Sequence, residues 1–469
     1  MNGKKKIYLA LALFLSVVLV FGIWFIFDNK GNTLNDNDNY NYYIAAFIDG
    51  ESSTTFPTSA DYITEVVCKK NDNTLLSINA TASWTGTKWK LSIKDASYAN
   101  IYCNVNFITK TTWESPGEGT LLAAIKRDNT VGTPLTTPGR AKTADNEAVL
   151  ASTEDDYGTS YYFRGAVTNN YVEFANKCWR IVRVEGSDSI KLVLHNDNTS
   201  AAASPCNVTG NDYAFARFEG DTYESSFDSN DYPDNAYVGF MYGEDGSRSY
   251  EEAHANKNPS TILTNINKWY TNVLSKQANF NDSQLADTIW CNDKSVVTDT
   301  TFNPKSLTLG TNYGYAKNKN YYSTAKRLVQ TSSWIKGGTG PSLICPNDNN
   351  GGKLSKFTVS DTEYGNGALS GYGKIGLLTA DEVVFAGSTL YGFNLAYLSV
   401  FSSSGDWWTL SPSYYDGKST VWSVYGDDGG LAGNSVDYYE GVIRPALSLV
   451  STTKVTGLGT ATNPYKIVS

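Results

Sequence analysis

One apolar run near the N-terminus constrains this chain more than any other feature. Residues Ile7 to Phe27 contain no charged side chain, and three lysines, Lys4 to Lys6, precede them. Twenty-one helical residues rise by about 31 Å, close to the roughly 30 Å hydrocarbon core of a bilayer. The lysines favour a cytoplasmic N-terminus. The sequence therefore predicts a membrane anchor over residues 1–28, a single-pass location in the cell membrane and an extracellular body.

The body is acidic. All 47 acidic residues lie after Phe27, where 35 basic residues remain once the three N-terminal lysines are set aside, a formal charge of about −12. Such a chain offers no basic stripe for phosphates, so a nucleic-acid partner is not expected. Only two histidines, His195 and His254, are present and no Cys-x-x-Cys pair occurs. A zinc site is therefore not predicted, and no cofactor is expected.

The cysteines are even in number, as in many extracellular proteins. They are Cys68, Cys103, Cys178, Cys206, Cys291 and Cys345. Six cysteines can pair in fifteen ways, so the sequence alone does not fix the pairing. Because each pair of neighbours falls within one expected structural unit, we predict Cys68–Cys103, Cys178–Cys206 and Cys291–Cys345.

The remaining chain divides into segments of different composition. Residues 29–41 are polar and are predicted to form a stalk, and residues 42–110 alternate short β-favouring runs with turn residues. Within them Cys68 and Cys103 bracket Trp84 and Trp89, an order that resembles an immunoglobulin-like sandwich. Residues 111–151 contain several Pro and Gly and are predicted to be a linker. We expect a large domain over residues 152–450 and a β-like tail over 451–469.

The large domain mixes two hydrophobic periods. Residues 178–184 and 190–195 alternate as two strands of a hairpin. Ser260 is placed to cap a helix with one apolar face, and Thr379 precedes a second, short helix. Strands and helices without regular alternation indicate an α+β domain. The predicted fold class is thus α+β: a transmembrane helix, a small all-β immunoglobulin-like sandwich and a larger α+β domain.

Several ordered motifs in residues 152–450 resemble a family of uncharacterised surface proteins of Gram-positive-type bacteria. They are Glu154 to Gly165, Trp179 to Arg183, Trp290 to Ser295, Gly376 to Glu382, Trp408 to Pro412 and Arg444 to Ala446. The resemblance implies a C-type-lectin-like fold of the kind shared with sulfatase-modifying factors, and a place on the cell surface. It implies no reaction. Here the run that leads into the last motif, Gly441 to Pro445, has one residue more than the Gly-Val-Arg-Pro of the family pattern.

Catalytic groups are sparse. His195 and His254 lack a recognisable nucleophile motif. Two pairs of adjacent acids, Asp381–Glu382 and Asp427–Asp428, are also present. Adjacent acids on a strand point apart rather than facing across a glycosidic bond, and acids at a helix start are usually structural. We therefore predict no catalytic residue and no enzyme. An envelope enzyme acting on glycans, a hydrolase or transferase, remains the alternative, and a structural spacer is a third.

The segment between Trp407 and Tyr439 is dense in aromatic and short polar residues, the chemistry of paratopes and sugar sites. The predicted ligand contacts are Tyr414, Tyr415, Tyr425, Asp427, Asp428, Asn434, Tyr438 and Tyr439, and Trp408, Trp422 and Arg444 are predicted to hold the scaffold. The expected function is adhesion or recognition of an extracellular glycan or protein.

Calcium is a weaker alternative at two loops, Pro346 to Gly352 and Gly426 to Gly430. Oxygen ligands separated by glycines suit Ca²⁺, but the same residues form turns without an ion, and we expect turns there.

Overall fold

The fold is described from a computed structural model, which divides into two compact units, Met1–Ser115 and Pro116–Ser469. The residues it describes are 41–48, 51–59, 62–70, 79–85, 87–94, 100–109, 119–207, 214–218, 221–228, 238–243, 255–295, 320–329, 338–346, 355–360, 369, 371–390, 396–400, 405–415, 419–426, 429–438 and 441–468. Strands account for 39% of these residues and helices for 15%. The predicted α+β class is therefore wrong, and the protein is mainly β.

The membrane prediction is also corrected. Within the described ranges, no helix is long and apolar enough to cross a membrane. The segment Ile7 to Phe27, on which the prediction depended, lies outside those ranges, as does the stalk up to residue 40. The single-pass anchor, the membrane partner and the cell-membrane location are therefore not retained.

The first unit is a small two-layer β structure. Its described strands are β1 (Asn41–Ile48), β2 (Glu51–Ser53), β3 (Tyr62–Lys69), β4 (Asn79–Trp84), β5 (Trp89–Lys94) and β6 (Asn100–Thr109). One sheet has the order β2-β1-β6-β3, with β1 and β6 parallel, and β4 pairs with β5 as a hairpin. Side chains of that hairpin, among them Ala82, Trp89 and Leu91, pack with Val105 and Phe107 of β6.

The immunoglobulin-like description of this unit is wrong in one decisive respect. Cys68 and Cys103 do form the predicted disulfide. They lie directly opposite each other on the neighbouring strands β3 and β6, within one sheet. An immunoglobulin disulfide instead joins two facing sheets. Trp84 and Trp89 lie opposite each other at the turn of the β4–β5 hairpin and are half-buried.

The second unit contains the other described elements. Its strands are β7 (Ala148–Asp155), β8 (Gly158–Gly165), β9 (Tyr171–Phe174), β10 (Lys177–Val184), β11 (Ile190–Asn196), β12 (Arg217–Phe218), β13 (Asp221–Thr222), β14 (Met241–Tyr242), β15 (Asn258–Pro259), β16 (Trp290–Cys291), β17 (Asn320–Tyr321), β18 (Lys356–Phe357), β19 (Trp407–Tyr415), β20 (Ser419–Val424), β21 (Leu431–Ser435), β22 (Ala446–Leu449), β23 (Val455–Thr456) and β24 (Tyr465–Ile467). Its α-helices are α1 (Leu121–Asp128), α2 (Thr261–Asn272), α3 (Ser323–Leu328) and α4 (Ala380–Ala386), and short 3-10 turns lie at Leu274–Lys276, Asp282–Gln284 and Ala396–Leu398.

Two sheets organise this unit. The larger has the order β22-β11-β10-β9-β24-β23, and the β7–β8 hairpin joins it through β8 and β10. The smaller has the order β17-β19-β20-β21, all antiparallel. Strand β10 is buried at every position because it has neighbours on both sides and is covered on both faces. The predicted linker, residues 111–151, is wrong where it is described, since it includes α1 and the start of β7.

Local predictions in this unit are confirmed. The β10–β11 hairpin is antiparallel as expected. Ser260 caps α2, accepting a hydrogen bond from the backbone N–H of Leu263, and Thr379 caps α4 in a capping box with Glu382. The disulfides Cys178–Cys206 and Cys291–Cys345 also form as predicted. Short-range patterns thus indicated short-range structure correctly.

Candidate functional site

Predicted contact residues that the structure describes lie on two faces of the smaller sheet. Across antiparallel strands, directly paired residues share a face and chain neighbours point to opposite faces. Trp408 is paired with Ser423, whereas Trp422 is paired with Gly433, so the two tryptophans lie on opposite faces of the smaller sheet. Both are buried: Trp408 is 0% exposed and Trp422 is 4% exposed.

The tyrosines divide between these faces. A β-carbon at Gly433 would lie only 2.9 Å from Cε1 of Tyr414, so the Tyr414 ring lies on the face of Trp422. Tyr438 packs edge-on against Trp408, with ring centroids 6.3 Å apart. Asn434 lies on the face of Trp408, where its Nδ2 donates to Ser423 Oγ at 3.0 Å and to Asp406 Oδ2 at 2.8 Å. Three described members of the predicted set, Tyr414, Tyr438 and Asn434, therefore lie on two opposite faces of the smaller sheet.

The rest of that set is placed as follows. Tyr425 is half-buried, and its backbone N–H donates to the carbonyl of Gly430 at 2.9 Å. Asp427, Asp428, Tyr439 and the side chain of Tyr415 lie outside the described residues. Arg444 is fully buried and donates to the backbone carbonyls of Leu194 and Leu398.

A cavity in the second unit brings together residues from distant parts of the chain; we call it the charged cavity. It is lined by Asp155, Asp156, Tyr157, Arg183, Lys191, Ile289, Cys291, Asp293, Arg327, Ser342, Leu343, Cys345, Thr379, Asp381, Glu382 and Ser411. Its volume is about 30 Å³, and one water needs roughly 10–15 Å³ on this measure. The cavity therefore admits a group with the size of an amine or a hydroxymethyl, not a sugar ring.

A β-bulge helps to build the floor of the charged cavity. Residues three apart on a regular strand point to opposite faces, but β10 has a register shift between Ile181 and Arg183. As a result Arg180 pairs with Val193 and Arg183 with Lys191, two residues of β11 that share a face. Arg183 and Lys191 thus project together from the larger sheet into the cavity.

Arg183 is the centre of one ion-pair group. Its guanidinium contacts Asp155 at 2.6 Å, Glu382 at 2.9 Å and Glu185 at 3.0 Å. Lys191 Nζ lies 2.9 Å from the same Glu382 oxygen. Burial alone would raise the pKa of Glu382, but Lys191 and Arg183 outweigh it and lower the pKa to about 2. Glu382 is therefore held as an anion.

Arg327 is the centre of a second group. It pairs with both carboxylate oxygens of Asp381, each at 2.9 Å, and with Asp293 at 2.9 Å. Burial opposes the charge on Arg327, yet Asp381 and Asp293 raise its pKa above the ordinary range. A bidentate arginine–carboxylate pair of this kind fixes the orientation of both side chains. The adjacent acids Asp381 and Glu382 thus have different cationic partners and do not act as one pair.

The mouth of the charged cavity is apolar. The lining residue Tyr157 is 40% exposed, and the lining residues Ile289 and Leu343 are half-buried. The Tyr157 hydroxyl accepts a hydrogen bond from the backbone N–H of Ile289 at 2.9 Å, which holds the ring in place. Burial of the hydroxyl raises the pKa of Tyr157 to about 12. We call Tyr157, Ile289 and Leu343 the apolar rim.

Catalytic and metal chemistry find little support in the described ranges. His195 has a pKa well below its ordinary value, owing to burial and then to Arg180 and Arg444, and its Nδ1 has no hydrogen-bond partner. No group of His, Cys, Asp or Glu suitable for a metal ion occurs among the residues described. His254, Asp427, Asp428 and residues 347–352 of the first candidate calcium loop lie outside them.

Comparison with known proteins gives one match. Residues 260–451 are similar to a family described as a domain of unknown function (DUF6273). The match begins at the residue that caps α2 and ends just after β22, and it covers less than half of the chain. No curated protein and no solved structure matches. The match excludes β10 and β11, although β11 pairs with β22, so the folded unit extends beyond it.

The sequence signal for the charged cavity was present but was attributed to other roles. Five of the six motif segments contribute residues to the cavity lining. One lining residue from each of these segments is Asp155, Arg183, Asp293, Asp381 and Ser411. In the sequence, Asp381 and Glu382 are adjacent acids at a helix start, where carboxylates are favoured without any ligand. Charged residues within apolar runs, such as Arg183 and Lys191, were the signal that pointed to a buried ionic site.

Proposed function

We propose that this protein is a recognition protein that binds a glycan or protein ligand at the charged cavity and its apolar rim. The observation that carries the proposal is the cavity itself, where side chains from separate segments converge below an exposed apolar mouth. Concave sites with a few fixed polar groups and an apolar surround are the usual form of ligand sites.

The lining charges indicate which ligand groups fit. Five carboxylates, those of Asp155, Asp156, Asp293, Asp381 and Glu382, line the cavity against three cations, Arg183, Lys191 and Arg327. Lys356, 2.5 Å from Asp156, offsets one more carboxylate. An excess of negative charge remains, so a cationic or neutral polar group is favoured over an anion. The ligand would place an amine or hydroxyl in the cavity and an apolar portion on the rim.

Ion pairing is also why we favour binding over glycan hydrolysis. A glycosidase needs one carboxyl group that gives up a proton and another that is free to attack or to activate water. Here Asp155, Asp381 and Glu382 each lie within 2.9 Å of an arginine. Carboxylates held in this way stabilise a fixed frame. The C-type-lectin-like resemblance is compatible with recognition, and it rests on the sequence motifs alone.

The three disulfides support the proposal that the protein functions in an oxidising compartment, since such bonds are rare in the reducing cytosol. Binding assays should therefore use the oxidised protein.

The proposal is tested by probing arrays of glycans and peptides with the oxidised protein and with the Tyr157→Ala variant. Tyr157 lines the cavity and is 40% exposed, so the variant should fold normally. We expect binding to probes that carry free amines or hydroxyls next to an apolar group, and at least a several-fold loss for Tyr157→Ala. Equal binding by both proteins would contradict the placement of the site.

A further inference from the structure

A second group of buried charges lies further along the same face of the larger sheet. We call it the cationic cluster: Arg180, Arg444, His195, Tyr397 and Trp407. Arg180 is 3% exposed and Arg444 is fully buried. Neither forms an ion pair within the part of the chain that the structure describes. The cluster is independent of the proposed recognition site.

Neutral groups satisfy part of each guanidinium. Arg180 donates to Asn170 Oδ1 and to the carbonyl of Val167, both at 2.7 Å. Its guanidinium carbon lies 3.7 Å from the centre of the Tyr171 ring and 5.3 Å from that of Tyr397. Arg444 donates to Leu194 O at 3.0 Å and Leu398 O at 2.7 Å, and lies 4.9 Å from the Trp407 ring centre.

These contacts do not neutralise two buried positive charges. Cation–π contacts contribute about 0.5–2 kcal/mol each, whereas burying an ion without a counterion costs several kcal/mol. Burial lowers the pKa of Arg180 to about 10, and burial together with Arg180 lowers that of Arg444 to about 9. The cluster therefore lacks a negative charge.

Hydrogen-bond donors are also left over around the two guanidiniums. Arg444 Nη2, the Tyr397 hydroxyl and Trp407 Nε1 are buried and have no hydrogen-bond partner, and neither has His195 Nδ1. Unsatisfied buried donors are costly, and several in one place indicate a missing acceptor. The Tyr397 ring centre lies 5.3 Å from the guanidinium carbon of Arg180, and the Trp407 ring centre lies 4.9 Å from that of Arg444. Two of the unused donors therefore belong to rings that pack against these two charges.

We propose that the cationic cluster binds one small inorganic anion, a halide such as chloride. A single monovalent anion would accept the unused N–H and O–H groups and offset one of the two charges. Its small size follows from enclosure: Arg444 and Trp407 are fully buried and Tyr397 is 4% exposed, which leaves no path for a larger acid.

The test uses bromide, which replaces chloride and can be located by anomalous scattering. Crystals of the whole protein grown in sodium bromide should show an anomalous peak about 3–3.5 Å from Arg444 Nη2. In solution, replacing gluconate by bromide at constant ionic strength should raise the Tm by about 3 °C or more, because a ligand bound only by the folded state stabilises it.

Matched variants separate the site from general salt effects. Tyr397→Phe removes one unused donor, so several-fold more bromide should be needed for the same Tm rise. Tyr372→Phe, a change of the same kind at a half-buried tyrosine elsewhere in the unit, should respond as the native protein does. An absent peak, or identical Tm values in gluconate and bromide, would overturn the proposal. So would an equal bromide response in both variants.

Discussion

Two groups of buried arginines on one sheet face show how the partner decides the role of a charge. Arg183, in the charged cavity, lies within 3.0 Å of three carboxylates, and its pKa is raised above the usual range because they outweigh burial. Arg180, three residues earlier, has only neutral partners, and burial lowers its pKa. Arginine at one position of this strand thus holds three carboxylates in place, whereas arginine at the other position carries a charge that no carboxylate neutralises.

The largest expected effect is a difference between matched substitutions on β10. Arg183→Met should cost about 3–5 kcal/mol of unfolding free energy, since it leaves buried carboxylates without a cation. Arg180→Met should cost only about 1–2 kcal/mol, because it frees neutral acceptors and removes an unpaired charge. Denaturant unfolding of the two variants measures this. Equal costs would mean that pairing does not distinguish the two regions.

An exposed pair supplies the control for that comparison. Arg127 pairs with Asp128 at 2.6 Å, but its side chain is 58% exposed. Arg127→Met should change stability by less than about 1 kcal/mol, since solvent screens such pairs.

The next prediction concerns acid. The pKa of Glu382 is about 2 in the folded protein and roughly 4.3 in an unfolded chain. A lowered pKa stabilises the folded state above the unfolded value, and this is lost as pH falls towards 2. At pH 7 the contribution is about 3 kcal/mol at 1.36 kcal/mol per unit.

The Glu382→Gln variant isolates this contribution. Its deficit in unfolding free energy should be largest at pH 7 and roughly half as large at pH 3. Glu185, whose pKa is raised chiefly by burial and also by Glu382, acts in the opposite direction, and this opposing effect is smaller in the variant, which lacks the Glu382 charge. A deficit that is the same at both pH values would show that the negative charge of Glu382 does not stabilise the folded protein.

Sequence patterns predicted what depends on near neighbours. Ser260 and Thr379 were identified as helix caps, the β10–β11 hairpin followed from alternation, and all three disulfides joined adjacent cysteines. Predicting these features requires only a few consecutive residues or a division of the chain into structural units. The fold class failed because many short strands pair across long separations, as β11 does with β22.

The sites were harder to predict for the same reason. Arg183 and Glu382 are 199 residues apart in the chain, so no local spacing brings them together. The bulge in β10 changes which side chains share a face, and alternation alone misses it. In the aromatic segment, composition suggested one surface, but Tyr414 lies on the face of Trp422 and Tyr438 packs against Trp408 on the opposite face.

The smallest expected effect, about 1 kcal/mol or more in binding, concerns a pair of tyrosines. Tyr157 belongs to the apolar rim, whereas Tyr438 packs against Trp408 on the smaller sheet. Both are at least partly exposed, so alanine at either position should cost little stability compared with Arg183→Met.

The most direct test of recognition at the charged cavity is calorimetric titration of these two variants with a ligand identified on the arrays. We predict that Tyr157→Ala raises the Kd about tenfold, equivalent to roughly 1.4 kcal/mol, and that Tyr438→Ala leaves it within about twofold. Loss of binding in Tyr438→Ala with native affinity in Tyr157→Ala would contradict the account and return the site to the aromatic segment.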